Sequence, residues 1–165
     1  MAIELIVLDV DGTLTNGRIT YTQNGDEVKS FSVKDGLAIA SWIKLGKHVA
    51  IITGRSSKIV ERRAKELGIE YFYQGVHNKQ EVLESLLDRL NLSMENVATA
   101  GDDLNDYAML KASKLAFVPA DASVYVKKIA YEVLSNRGGE GAVREMIEKL
   151  IVMEELEEKY LNLWY

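Results

Sequence analysis

Ile3-Glu4-Leu5-Ile6-Val7-Leu8-Asp9-Val10-Asp11-Gly12-Thr13 begins as a short apolar run and breaks off in two carboxylates one residue apart. A run of this length ending in a turn signal reads as a buried strand. Alternation puts Asp9 and Asp11 on one side of the extended chain, at the strand's carboxyl end, which is the binding edge of a parallel sheet. Two carboxylates held together repel, so either one keeps a proton or a cation binds between them. Gly12 lets the chain turn tightly and show backbone N–H groups to an anion. A polar loop capping a helix is the bland alternative, and it leaves unexplained why the pair follows a clean buried strand.

The pattern repeats outward from there. Val49–Ile52, Tyr71–Tyr73, Val97–Ala100 and Leu115–Val118 are further short apolar runs. Helix-like stretches lie between them: Asp35–Leu45 closed by Gly46, and a stretch capped by Ser56 or Ser57 that runs to Leu67 before Gly68. Lys79–Leu90 repeats apolar positions at Val82, Leu83, Leu86, Leu87 and Leu90, which is helical spacing. Leu104–Lys111, Ala122–Lys128 and one long helix from Gly141 to about Leu161 complete the set. Alternating strands and helices predict an α/β, Rossmann-like three-layer sandwich with a mainly parallel sheet.

One segment interrupts the rhythm. Arg18–Val33 holds Asn24-Gly25 between Ile19, Tyr21, Val28 and Phe31, a strong hairpin signal. A two-residue loop would set Tyr21 opposite Val28, with Phe31 and Val33 on the other face. This β-hairpin is inserted directly after the first strand. There is no internal repeat or linker, and residues 1–165 are expected to form a single domain.

Composition excludes whole classes of chemistry. With no cysteine, disulfides, zinc–thiolate sites and cysteine nucleophiles are ruled out, and His48 and His77 allow no multi-histidine centre beyond a pair. A net charge of −5 disfavours nucleic acid or an anionic membrane as the main partner. Met1–Val10 has no basic residue and too short an apolar run for a signal peptide, and no stretch approaches the roughly 20 apolar residues of a membrane span. A cytoplasmic location is the expectation.

Three more clusters sit where strands end or helices begin. Ile52-Thr53-Gly54-Arg55-Ser56-Ser57 offers a hydroxyl and free N–H groups to an anion, or is simply a capping turn. Gly101-Asp102-Asp103-Leu104-Asn105-Asp106 gathers oxygen ligands for a hard cation, magnesium being favoured for a phosphate reaction. Acids at a helix start also suit the helix dipole, so Asp102, directly after the strand, is the best single ligand. Lys79 opens a helix, where its charge opposes the dipole, which suggests a task elsewhere. Arg137-Gly138-Gly139 and Gly141 form a flexible segment that either reaches an active site, with Arg137 or Arg144 meeting a carboxylate, or is a plain loop. Asp35 reads as a helix N-cap and His77 as a surface residue.

As an ordered set, DVDGT (Asp9–Thr13), ITGR (Ile52–Arg55), Lys79 and GDDLND (Gly101–Asp106) resemble the haloacid dehalogenase-like phosphohydrolase superfamily. The resemblance implies magnesium-dependent phosphotransfer through aspartate. Asp9 would be the nucleophile and Asp11 the general acid and base. Asp9, Asp11 (through its carbonyl) and Asp102 would hold Mg2+. Thr53 and Lys79 would bind the phosphoryl group, with Gly54, Arg55 and Arg137 beside the substrate and Asp106 steadying Lys79. Between Asp11 and Thr53 lie 41 residues (12 to 52), and between Thr53 and Lys79 only 25 (54 to 78), so neither interval holds a cap domain. The capless layout, with VKDG (Val33–Gly36), YQGVHNK (Tyr73–Lys79) and RGGEGAVRE (Arg137–Glu145), looks most like the 3-deoxy-D-manno-octulosonate 8-phosphate phosphatase family. That resemblance implies a small phosphorylated sugar-acid substrate, a role in lipopolysaccharide precursor synthesis and a homotetramer whose hairpins pack at the active-site mouths. An acylneuraminate 9-phosphate is the alternative substrate. A non-catalytic binding module on the same scaffold is the alternative of another kind.

Overall fold

The computed structural model describes residues 2–165. Its strands are β1 (Leu5–Leu8), β2 (Thr20–Tyr21), β3 (Glu27–Val28), β4 (His48–Ile52), β5 (Tyr71–Tyr73), β6 (Val97–Ala100), β7 (Leu115–Val118) and β8 (Glu132–Val133). Its helices are α1 (Val33–Lys44), α2 (Lys58–Leu67), α3 (Lys79–Leu90), α4 (Tyr107–Ala112), α5 (Val124–Lys127), α6 (Ala142–Met153) and α7 (Glu157–Asn162). The main sheet runs β5-β4-β1-β6-β7-β8 with every pairing parallel. No helix among the described residues is long and apolar enough to cross a membrane.

Strand alternation builds the three layers. Ile6 and Leu8 of β1 face α1, α2 and α6 with Val49, Ile51, Ala98 and Phe117, while Leu5 and Val7 face α3 and α4 with Ala50, Ile52 and Val97. Sequential crossovers first move outward from β1 to β4 and β5, then return to β6 on its other side. Chain reversal of this kind opens a crevice at the strands' carboxyl ends. The register there is level, Leu8 pairing with both Ile51 and Ala100, so the residues that follow the three strands emerge side by side.

Three expectations are corrected, and one strand goes unannounced in the sequence. The hairpin loop holds three residues, with Gly25 at φ 86° and its N–H donating to Thr22 O. A type I turn closed by a left-handed glycine shifts the register by one, so Tyr21 pairs with Glu27 and Thr20 with Val28. The long final helix breaks after Met153, Glu155 adopting φ 56°. Continuing the buried spacing of α6 (Met146, Ile147, Leu150, Ile151) would carry Glu154, Glu157 and Glu158 into the core, and the break instead lets Leu156 and Tyr160 pack there. β8, half exposed and two residues long, has no apolar run to announce it.

The third correction concerns Asp35. Ser32, not Asp35, caps α1. Asp35 lies buried in the first turn of α1 and accepts the Arg144 N–H of α6 at 2.9 Å, where Gly141 has no side chain to cap with. Burial pushes its pKa up, more than the donors of α6 and the nearby Arg63 pull it down, and its Oδ2 has no hydrogen-bond partner. Asp35→Ala should cost about 1 kcal/mol through loss of the cap. A folded pKa above the unfolded one means the charged form weakens the fold, a penalty that grows as pH rises through the folded value. Asp35→Asn keeps an acceptor without the charge, so relative to wild type it should fare better at neutral pH than near pH 4 in urea denaturation.

Candidate active site

The loop after β1 is pinned from within. Val10 O accepts the N–H groups of Thr13, Leu14 and Thr15, and Thr15 Oγ1 accepts those of Gly12 and Gly17. Gly12 is held at φ 93°, and a Cβ there would fall inside the Asp102 carboxylate. Glycine is therefore what lets the loops after β1 and β6 meet. Thr13 Oγ1 donates to Asp102 Oδ1 across that contact.

Lys79 organises the charge. Its Nζ donates to Asp9 Oδ1 at 2.7 Å and to Asp106 Oδ1 at 2.6 Å, all three side chains being nearly sealed from solvent. Burial opposes the ammonium, but Asp9 and Asp106 outweigh it and its pKa is raised. That explains a cation at the start of α3: the two carboxylates hold it against the helix dipole. Asp106 Oδ2 accepts the N–H groups of Asp102 and Asp103, so this residue ties the β6 loop to α3.

Asp9 and Asp102 carry the strain. Burial, then the charge of Asp106, pushes Asp9 up to about 6. Burial, then the charges of Asp9 and Asp106, pushes Asp102 up to about 8. One oxygen each of Asp9, Asp102 and Asp106 lie within 4.8 Å of one another. Since Asp106 already serves Lys79 and two backbone donors, the carboxylates available to a cation are those of Asp9 and Asp102. Asp11 does not join them: its side chain turns to Lys29, 2.6 Å away.

A cavity of about 280 Å³ opens over these groups, lined by Asp9, Asp11, Thr53, Gly54, Arg55 and Asp102. Gly17, Asp103 and Asn105 complete its wall. Thr53 is fixed by backbone bonds to Tyr73 and Val76, which hold its loop open toward the cavity. Arg137 is the expected substrate residue that the structure sets apart. It is exposed, sits 3.7 Å from Asp121 and does not line the cavity. Its glycine neighbours do reach the site from behind: Gly139 N donates to Thr13 O, and a Cβ at Gly138 would overlap the carbonyl of Gly12. Arg144 pairs with Glu148, and His77 is exposed.

Sequence reasoning missed Lys29 and Glu27. Lys29 Nζ lies between Asp11 Oδ1 (2.6 Å) and Glu27 Oε1 (3.3 Å), and Arg55 stands 3.6 Å from Glu27. The signal was available: two opposite charges two residues apart share a face of the hairpin strand that returns toward the Asp9–Thr13 loop.

Asp106→Ala leaves a buried ammonium half paired and two backbone donors unsatisfied. A loss of about 3 kcal/mol is expected, with Asp106→Asn milder because it keeps an acceptor for the loop. Urea denaturation of the two variants checks this, and equal losses would contradict it.

Three comparisons bear on the site. The model of the haloacid dehalogenase-like hydrolase family matches residues 6–77 and 72–147. The 3-deoxy-D-manno-octulosonate 8-phosphate phosphatase KdsC of Escherichia coli is 42% identical over 152 residues, 92% of this chain and 81% of that protein. The Moraxella catarrhalis 3-deoxy-D-manno-octulosonate 8-phosphate phosphatase, solved with magnesium, phosphate and KDO, superposes with TM-score 0.95 at 34% identity, covering 99% of this chain and 94% of that one. A probable YrbI family phosphatase from Pseudomonas syringae pv. phaseolica gives TM-score 0.95 at 42% identity, over 99% and 93% of the two chains.

Proposed function

The chain belongs to the haloacid dehalogenase-like hydrolases, and we propose that it is a magnesium-dependent phosphatase releasing phosphate from 3-deoxy-D-manno-octulosonate 8-phosphate to leave the free sugar acid. The observation that carries this is the abutting pair Asp9 and Asp102 beside Lys79, on a fold that superposes on a phosphatase holding magnesium, phosphate and KDO.

The residues fit magnesium. Asp9 and Asp102 are hard oxygen donors whose charged forms the fold disfavours until a cation arrives. With Asp9, Asp102 and the Asp11 carbonyl as its holders, magnesium when bound supplies charge neutralisation between carboxylate and phosphate dianion. Asp9 attacks phosphorus, its oxygen forming the new bond as the bond to the sugar oxygen breaks, to give an aspartyl phosphate. Asp11 delivers a proton to the departing oxygen, then takes one from the water that hydrolyses the intermediate. Lys79 and the Thr53 hydroxyl, with the Gly54 N–H, hold the phosphoryl oxygens as charge moves. Arg55, half exposed on the cavity rim, would meet the sugar's carboxylate as a planar fork.

The working unit we propose is a homotetramer, with the cytoplasm as its compartment and lipopolysaccharide precursor synthesis as its role. Support for the assembly comes from the hairpin: Tyr21, Val28 and Val33 present exposed apolar surface beside an open cavity. An acyl phosphate needs shelter from stray water, and a neighbouring subunit would give it.

Asp9→Asn should abolish turnover of 3-deoxy-D-manno-octulosonate 8-phosphate while keeping the fold by circular dichroism, and chelation should do the same reversibly. Hydrolysis that survives in that variant would remove the nucleophile assignment. Phosphorylated sugars, acylneuraminate 9-phosphate and nucleotides assayed side by side decide the substrate. Deleting residues 18–33 should lower both assembly, read by light scattering, and activity. A fully active monomer would sink the subunit-wall reading.

A further inference from the structure

The hairpin reaches the chemistry through one side chain. β2 and β3 pair only with each other, and a two-stranded ribbon alone is marginal in water. Phe31 packs on the core, and Arg63 donates to Ser32 O, so the hairpin's base is anchored without Lys29. Lys29 nevertheless extends inward until its side chain is fully buried, its Nζ 2.6 Å from Asp11 Oδ1. Nothing in the packing of the ribbon requires a buried ammonium there. A desolvated ammonium is tolerated only where it is paired, and the partners here are Asp11 and Glu27, which directs attention to what the pairing does for Asp11.

We propose that Lys29 is a positioning residue for the proton transfer made by Asp11. The ammonium occupies Oδ1, and among the described residues it is the donor that Asp11's carboxyl receives. Proton exchange with substrate then falls to Oδ2. As the phosphorus–oxygen bond breaks, the electron pair stays on the sugar oxygen and the proton moves from Asp11 Oδ2 to it. Asp11 is left as a carboxylate against the Lys29 ammonium. Without that anchor the carboxyl would be free to rotate, and Oδ2 would lose its fixed orientation toward the cavity. Glu27 Oε1 lies 3.3 Å from Lys29 Nζ and 3.6 Å from the Arg55 guanidinium. Arg55, Glu27, Lys29 and Asp11 thus form a continuous row of alternating charges from the cavity rim to the acid.

This inference rests on the assignment of Asp11 as the acid, and the test separates the two. The readout is kcat/KM, which covers steps through release of the alcohol and so excludes later hydrolysis of the acyl phosphate. Two substrates are compared: 3-deoxy-D-manno-octulosonate 8-phosphate, whose alkoxide leaving group needs a proton, and 4-nitrophenyl phosphate, whose phenolate does not. General acid catalysis contributes about 10²–10⁴-fold, so Asp11→Asn should lower the alkyl-to-aryl ratio by about that factor. Lys29→Met should lower the same ratio by about tenfold or more, and Lys29→Arg should restore most of it. Glu27→Gln, which leaves Asp11 paired, should shift the ratio the same way by less. If Lys29→Met fails to fold, Glu27→Gln and Lys29→Arg carry the test alone, and an unmoved ratio in Glu27→Gln then overturns the inference. A Lys29→Met enzyme slowed equally on both substrates would show a merely structural lysine. A ratio unmoved in Asp11→Asn would instead overturn the acid assignment itself.

Discussion

Crowded negative charge is the constraint around which this molecule is arranged. Asp9, Asp102 and Asp106 bring oxygens within 4.8 Å of one another at the ends of two adjacent strands, and Lys79 is the buried cation among them. Such a cluster is poor design for stability. It persists because the strands that carry it are buried on both faces and paired in level register, which leaves the loops little freedom to separate. Division of labour follows from the hydrogen bonds. Asp106 is consumed by structure, Asp9 is shared between Lys79 and the cavity, and Asp102 is left with the most strongly raised pKa. Raised pKa values with specific charged neighbours are a mark of functional groups when they lie in a cleft, and Asp9 and Asp102 both line the cavity.

Glycines make the crowding sterically possible. Gly12 admits the Asp102 carboxylate and Gly101 admits Asp106, each where a Cβ would collide. Both flank the strand ends, so the backbone comes closest where charge is densest. The hairpin adds the remaining acid partner from outside the sheet. Its role differs from that of the core strands: it contributes little buried area and instead delivers Lys29, Glu27 and an apolar outer face. A cap domain would perform shelter and proton positioning together. In the assembly and mechanism proposed above, the two tasks would be divided between an exposed ribbon surface and one inward-reaching side chain.

Much of this was legible beforehand because the governing signals are local. The IELIVLDVDGT run reads as strand and carboxylate pair from neighbouring residues alone, and the other three clusters repeat the same grammar at strand ends. Placement of Thr53 and Asp102 around one cavity, with Lys79 buried beside Asp9, followed from parallel topology. What escaped depended on contacts between distant residues. Asp35 looks like a cap for its own helix, and only the packing of α6 on α1 shows that it serves the other. The hairpin register hinged on the conformation of Gly25, which Asn24-Gly25 alone leaves open between two-residue and three-residue loops. Arg137 invited a substrate role by composition, and Asp121 claims it. Lys29 was passed over, despite Glu27 two residues before it, because a lysine on a ribbon is ordinarily solvated, and its burial comes from the Asp11 loop beneath.

The bond from Gly139 N to Thr13 O, with Gly138 wedged against the Gly12 carbonyl, joins parts of the chain that lie far apart in sequence at its most demanding point. Synthesis delivers the amino-terminal loop first, and domains fold as units while the polypeptide emerges. The turn that carries Asp9 and Asp11 can therefore close its own internal hydrogen bonds well before this rear contact exists. The back of the pocket is walled only once Gly138 and Gly139 have been made and packed against it.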